Sequence, residues 1–287
     1  MKLRIATLII SIFLPAFSYA ADDVATLLNK ALDQLVRNGY VGDTSAGERY
    51  LQAILEQEPD HLEAQWQLIY IKLVPLQNAQ LSERATGLAV ISPAFARLAK
   101  LARESKKQGF LHFITAMYAS YYHAYEKALS EIDKALALEP KSARYLTAKG
   151  RILVGYGERT KSDAEIEKGI GTLKKARELL LTHTSLFIRD ENYDFYIAFA
   201  ISDLNQPRWK EVAEHYRLFI ERSEKSFVYA LGWNNLSVAY RNLGECDKAK
   251  ESAEKAIGVT KFGAAEWNKR FAQFCIEMQK MGLMAKK

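Results

Sequence analysis

The chain is short of the residues that break or staple a polypeptide: 287 residues contain six prolines, fifteen glycines and two cysteines. That scarcity excludes a collagenous or low-complexity chain and a small fold held by many disulfides. Signature motifs are missing as well. There is no HExxH, GxSxG, GxxxxGKS/T or GxGxxG, so the sequence offers no zinc-peptidase helix, nucleophile elbow, P-loop or dinucleotide turn. The five histidines are His61, His112, His123, His183 and His215, and no two stand three or four residues apart as helical metal ligands do. Asp190-Glu191 reads as the acidic start of a helix rather than a catalytic pair. No metal, no cofactor and no enzymatic activity are expected. Beyond the first twenty residues there is no run of eighteen apolar residues, so no transmembrane segment is expected after the leader.

What is present begins with that leader. Lys2 and Arg4 precede an apolar run from Ile5 to Phe17, and Ser18-Tyr19-Ala20 places small residues three and one before Ala21. The pattern is that of a secretory signal peptide over residues 1–20, cleaved before Ala21. The mature chain is then expected to be exported and soluble: periplasmic in a Gram-negative bacterium, otherwise secreted. Removing Lys2 and Arg4 lowers Lys+Arg from 40 to 38 against 34 Asp+Glu, so the net charge drops from +6 to about +4. A nucleic-acid partner is therefore not expected. The whole chain is 49% hydrophobic and 26% charged, the balance of a folded chain with long regular elements.

An internal period organises it. From Ala230 the chain reads ALGWNNLSVAYRNLGECDKAKESAEKAIGVTKFG. With Ala230 as position 1, Trp233, Leu236 and Tyr240 fall at 4, 7 and 11, Ser237 at 8, Gly244 at 15, and Ala249, Ala253 and Ala256 at 20, 24 and 27. Large residues on one helix facing small ones on the next let two antiparallel helices approach closely. This segment, 230–263, resembles the tetratricopeptide repeat, a helix-turn-helix unit. The resemblance implies an all-α, right-handed solenoid of such units over residues 21–287.

Further units carry the second-helix spacing more loosely. Ala128, Ile132 and Ala135 follow a start at Gly109; Gly47, Leu51 and Ile54 follow one near Leu28; Ala213, Arg217 and Ile220 follow one near Asp194. Units from Leu62 and Ala143 carry insertions. In the first, Pro75 ends the opening helix, 76–91 forms a helical piece of its own, and Ser92-Pro93 starts the second helix. In the second, Gly155-Tyr156-Gly157 and a capping box from Ser162 to Glu165 locate an extra turn. About six units and a capping helix over 264–281 give roughly thirteen helices. Trp267, Phe271, Phe274, Cys275 and Met278 form that last helix's apolar side.

In the repeat frame Cys246 falls in an interhelical turn and Cys275 in the next helix, so the two are candidates for a disulfide or for two buried thiols. A bond closing about 30 residues would be worth ~3–4 kcal/mol by loop entropy. The resemblance also implies that the first helices line a concave groove. Its inward positions are Trp66, Gln67 and Tyr70; Phe110, Phe113, Met117 and Tyr121; Arg144 and Arg151; Phe195 and Phe199; and Asn234, Asn235, Arg241 and Asn242. Tyr118, Tyr121, Tyr122 and Tyr125 also make one helical stripe, a pattern of core packing more often than of a binding surface. Asn235 stands where peptide-binding members carry a backbone-clasping amide, while no lysine pair completes a carboxylate clamp. The expected activity is a scaffold or adaptor binding an extended peptide or partner protein of the cell envelope. The alternative is a carrier holding a small apolar ligand inside a tightly curved solenoid, associated with periplasmic solute uptake.

Overall fold

A computed structural model describes residues 22–39, 43–182, 190–223, 226–261 and 263–284; the proposed signal peptide and His183 lie outside them. The described residues form thirteen α-helices: α1 (Val24–Arg37), α2 (Ser45–Gln57), α3 (Leu62–Leu73), α4 (Leu81–Glu104), α5 (Gln108–Tyr121), α6 (Tyr125–Leu138), α7 (Ala143–Thr160), α8 (Asp163–Thr182), α9 (Asp190–Ser202), α10 (Trp209–Arg222), α11 (Phe227–Asn242), α12 (Cys246–Val259) and α13 (Gly263–Lys280). A 3-10 turn, Val74–Asn78, joins α3 to α4. Each helix packs on its sequence neighbour, and the result is an all-α solenoid of antiparallel pairs.

Pairing follows the small-against-large rule. Ala128, Ile132 and Ala135 on α6, and Ala249, Ala253 and Ala256 on α12, are fully buried. On α2, Leu51 and Ile54 are fully buried, and a side chain at Gly47 would collide with Leu35 of α1. Starts are set by side-chain caps: Asp23 accepts from the Thr26 amide at 2.6 Å, His61 Nδ1 from the Ala64 amide at 3.1 Å, and Ser226 from the Tyr229 amide at 3.2 Å. Apolar residues gather in three successive cores, the largest around Tyr193, Tyr216 and Phe219.

Five local expectations are corrected. Pro75 ends α3 as read, but Pro93 does not start a helix: it lies inside α4, which runs unbroken for 24 residues. Pro93 and Ala89, whose carbonyl the proline leaves without its amide donor, are both exposed, so water can take that bond. Undivided, α4 is long and apolar enough by length and composition to cross a membrane; its Leu88, Ile91 and Leu98 are buried in the middle core. Gly155 to Gly157 is not a turn either. Helix α7 continues through it to Thr160, because Gly157 leaves room for the Ser162 carbonyl and for Ile166 of α8; the Ser162 cap does stand, accepting from the Glu165 amide at 3.4 Å. The tyrosine stripe crosses the α5–α6 turn, with Tyr121 buried and Tyr122 exposed. On α10, Arg217 points outward while Val212, Tyr216 and Phe219 fill the core. Finally, α13 buries Ala265, Ala272 and Cys275, whereas Trp267, Phe271 and Phe274 are 59%, 49% and 57% exposed.

Two contacts shape the ends. Cys246 and Cys275 are joined as a disulfide with Cα atoms 5.6 Å apart, pinning α13 to the start of α12. At the other end α1 reaches across to α11. Gly39, in the left-handed region at φ +59°, makes this approach possible, since a Cβ there would lie 2.8 Å from Val228 Cγ2. The solenoid therefore curls until its first helix touches its eleventh.

Candidate functional site

Inside the curl lies a recess of about 190 Å³. Its walls come from α3 (Trp66, Gln67, Tyr70), α5 (Phe113, Met117), α7 (Arg144, Thr147, Ala148, Arg151), α9 (Asn192, Phe195, Tyr196) and α11 (Val228, Leu231), with Val36 and Gly39 at the α1 side. Helical spacing explains the convergence. On α7 the four residues stand at i, i+3, i+4 and i+7, one face of a helix, and α3 and α5 present the same face from their own units.

The apolar wall is an aromatic lattice. Trp66 meets Phe113 edge-on at 5.6 Å and Tyr70 at 5.5 Å, and Phe113 stacks on Tyr145 at 5.4 Å. Two arginines interrupt it, in different states. Arg144 makes a two-pronged ion pair with Glu63, at 2.7 and 3.2 Å, and lies 4.2 Å over the Phe113 ring. Gln67 also donates to Glu63, at 2.6 Å. Arg151 donates to the Tyr70 hydroxyl at 2.7 Å and lies 5.2 Å over the Tyr196 ring. Burial pushes the phenols of Tyr121 and Tyr196 up, so both keep their protons at neutral pH.

Of the groove residues read from the sequence, Trp66, Tyr70, Phe113, Met117, Arg144 and Arg151 line the recess. Tyr121 lies behind them, beside Arg151 in a smaller adjoining pocket. Asn235 and Arg241 do not reach it. Asn235 donates to the Tyr216 hydroxyl at 3.1 Å and accepts from Asn234, which in turn accepts from Asn268 of α13 at 2.9 Å, so these amides tie α10, α11 and α13 together. Arg241 is half-buried with its guanidinium 5.1 Å over Phe271, and burial lowers its pKa. Gln67 and Phe195 line the recess, while Phe110 instead backs Arg144 at 5.5 Å and Phe199 is exposed. Asn242 caps back onto the Val238 carbonyl.

Some lining residues were missed, and most carried a signal. Thr147, Ala148 and Leu231 occupy inward positions of their own units. Asn192 and Tyr196 show that the fifth unit begins at Glu191, three residues before the start read near Asp194. Val36 and Gly39 come from the closing contact, which no single repeat encodes.

Elsewhere the four described histidines serve contacts of the fold: His61 caps α3, His112 meets Glu131 at 2.7 Å, His123 meets the Tyr125 hydroxyl at 3.0 Å, and His215 meets Asp194 at 2.8 Å. Among the described residues no cluster of three metal-ligating side chains forms.

No family model and no curated protein matches the chain. Solved structures do. The yeast Tom70 crystal structure superposes with a TM-score of 0.56 at 13% identity, over 90% of this chain and 48% of that one. The Cut9-Hcn1 hetero-tetramer of the APC/C gives 0.57 at 11%, over 87% and 46%. BtubC from P. vanneervenii gives 0.50 at 10%, over 81% and 90%. The chain thus spans about half the length of the first two. At such identities the likeness is one of fold, and that fold is a tetratricopeptide-like α-solenoid.

Proposed function

We propose that this chain is a non-catalytic, exported interaction protein whose inner recess receives an apolar anchor of a peptide or partner protein of the cell envelope. The observation that carries the reading is the recess itself: side chains from five helix pairs and from α1 converge on one cavity with aromatic walls. Such concentrated aromatic surface with few polar groups is what binding sites use. Export is supported by the basic-then-apolar leader pattern and by the Cys246–Cys275 disulfide, a bond that persists in oxidising compartments.

A second reading, the small-ligand carrier, is favoured by the α1–α11 contact, which narrows the groove toward an enclosed chamber. One experiment separates the two. Leu231, partly exposed at the recess wall, can be replaced by tryptophan to plug the cavity without touching the buried core. Crosslinking capture from the envelope fraction should recover a partner with the wild-type mature protein and lose it with Leu231→Trp. Equal capture by both moves protein binding to another face; no capture by either leaves the carrier as the reading to test.

A further inference from the structure

Arg151 differs from every other arginine in the recess wall in how its charge is met. Arg144 is neutralised by Glu63. Arg151 has no carboxylate partner among the described residues; its contacts are the Tyr70 hydroxyl, the Tyr196 ring and the neighbouring Tyr121 phenol. Two of those phenols are held protonated by burial, so they contribute dipoles and π faces but no negative charge. A guanidinium carries five donors, and only one hydrogen bond from it is made inside the protein. Arg151 is partly buried among these rings, and holding a cation there without a counter-charge is costly. The cost is sensible if a ligand brings the counter-charge.

From this, and resting on the reading of the recess as the binding site, we infer that the recess binds a compact monocarboxylate carrying a flat apolar group, with the carboxylate on Arg151. The charge balance selects the anion: with Glu63 already satisfying Arg144, one positive charge remains, which a monoanion matches and a phosphate dianion overshoots. The guanidinium fork matches a carboxylate's two oxygens. Trp66, Phe113, Met117 and Phe195 supply the walls for the apolar body, and about 190 Å³ limits it to roughly one ring. The carboxylate can belong to a free organic acid or to the end of a peptide chain, and the test separates these sources.

Phenylacetate, its neutral analogue phenylacetamide, phenyl phosphate, and a tripeptide ending in phenylalanine with either a free or an amidated terminus would be titrated calorimetrically into the mature protein. The expected order is phenylacetate or the free-terminus tripeptide first, with the matching amide and phenyl phosphate weaker by at least about tenfold. Arg151→Gln, which keeps a donor for Tyr70, should remove that preference for the acid while leaving amide binding unchanged. Without ligand, Arg151→Gln should melt at or above the wild-type temperature, because it deletes an uncompensated charge; a clear fall in melting temperature means that the guanidinium is a structural element and overturns the inference. Equal affinity for acid and amide, or full acid binding by Arg151→Gln, also overturns it. If acid and amide bind the wild type equally and both are lost in Leu231→Trp, the recess stands as a site and only the carboxylate is wrong. If no probe binds the wild type, the inference fails, and the recess reading then depends on the protein-capture experiment alone.

Discussion

At the end of α9, the Asp203 carboxyl is crowded by burial and by the Glu158 carboxyl, and its pKa is pushed up to about 8. The folded chain therefore keeps a proton there that the unfolded chain releases above about pH 4. The stability linked to that proton is complete below about pH 4 and is lost as pH rises through about 8. Asp203→Asn should leave stability near pH 4 unchanged and raise it near pH 9 by about 1–2 kcal/mol; thermal melts across that range check the slope. Residues such as these show what sequence spacing delivers. The inward placement of Arg144 and Arg151 was legible from the repeat frame, but their different charge states were not. Glu63 and Tyr70, which distinguish them, each lie 81 residues away in sequence. Asn235 was legible as an inward amide by analogy, yet Tyr216 and Asn234 had already engaged it.

Among the elements, α7 ends on Lys161 in the left-handed region at φ 54°, a conformation in which a non-glycine residue is strained. Lys161→Gly should stabilise the fold by up to ~1 kcal/mol, visible as a higher denaturation midpoint with an unchanged slope. Second helices read from small residues, as on α2, α6 and α12, matched the structure because alanine and glycine at a close crossing have no substitute. The failures share a cause. Local propensity reads Pro93 and the 155–157 glycines as breaks; tertiary packing on α3, α5 and α8 keeps both helices whole. On α13 the spacing marks the bulky residues as the apolar side. The tight crossing with α12 instead selects Ala265, Ala272 and the bonded Cys275, and turns the aromatics outward. Six of the eleven large hydrophobics exposed among the described residues, from Trp267 to Met284, consequently lie on α13 and the turn after it.

The whole molecule adds what no unit contains. A repeat specifies its contact with the next repeat, and the sum of small rotations sets the curvature; that sum is not readable from one unit, so the sequence leaves groove and chamber as alternatives and does not announce the contact between α1 and α11. Gly39→Val would bring both backbone strain and a collision with Val228, at a cost of about 1–3 kcal/mol. Hydrogen exchange should then quicken in α1 and α2 while α5 to α8 keep their protection. The same contact has a consequence in time. Neighbouring pairs join residues close in sequence and can zip up quickly from several starting points, whereas Gly39 and Val228 are about 190 residues apart. Closure needs the intervening pairs in place, so this contact is expected to form late in folding and to open early, which would give the recess a hinge-free way to open: letting go of its first helices while the rest of the stack stays assembled.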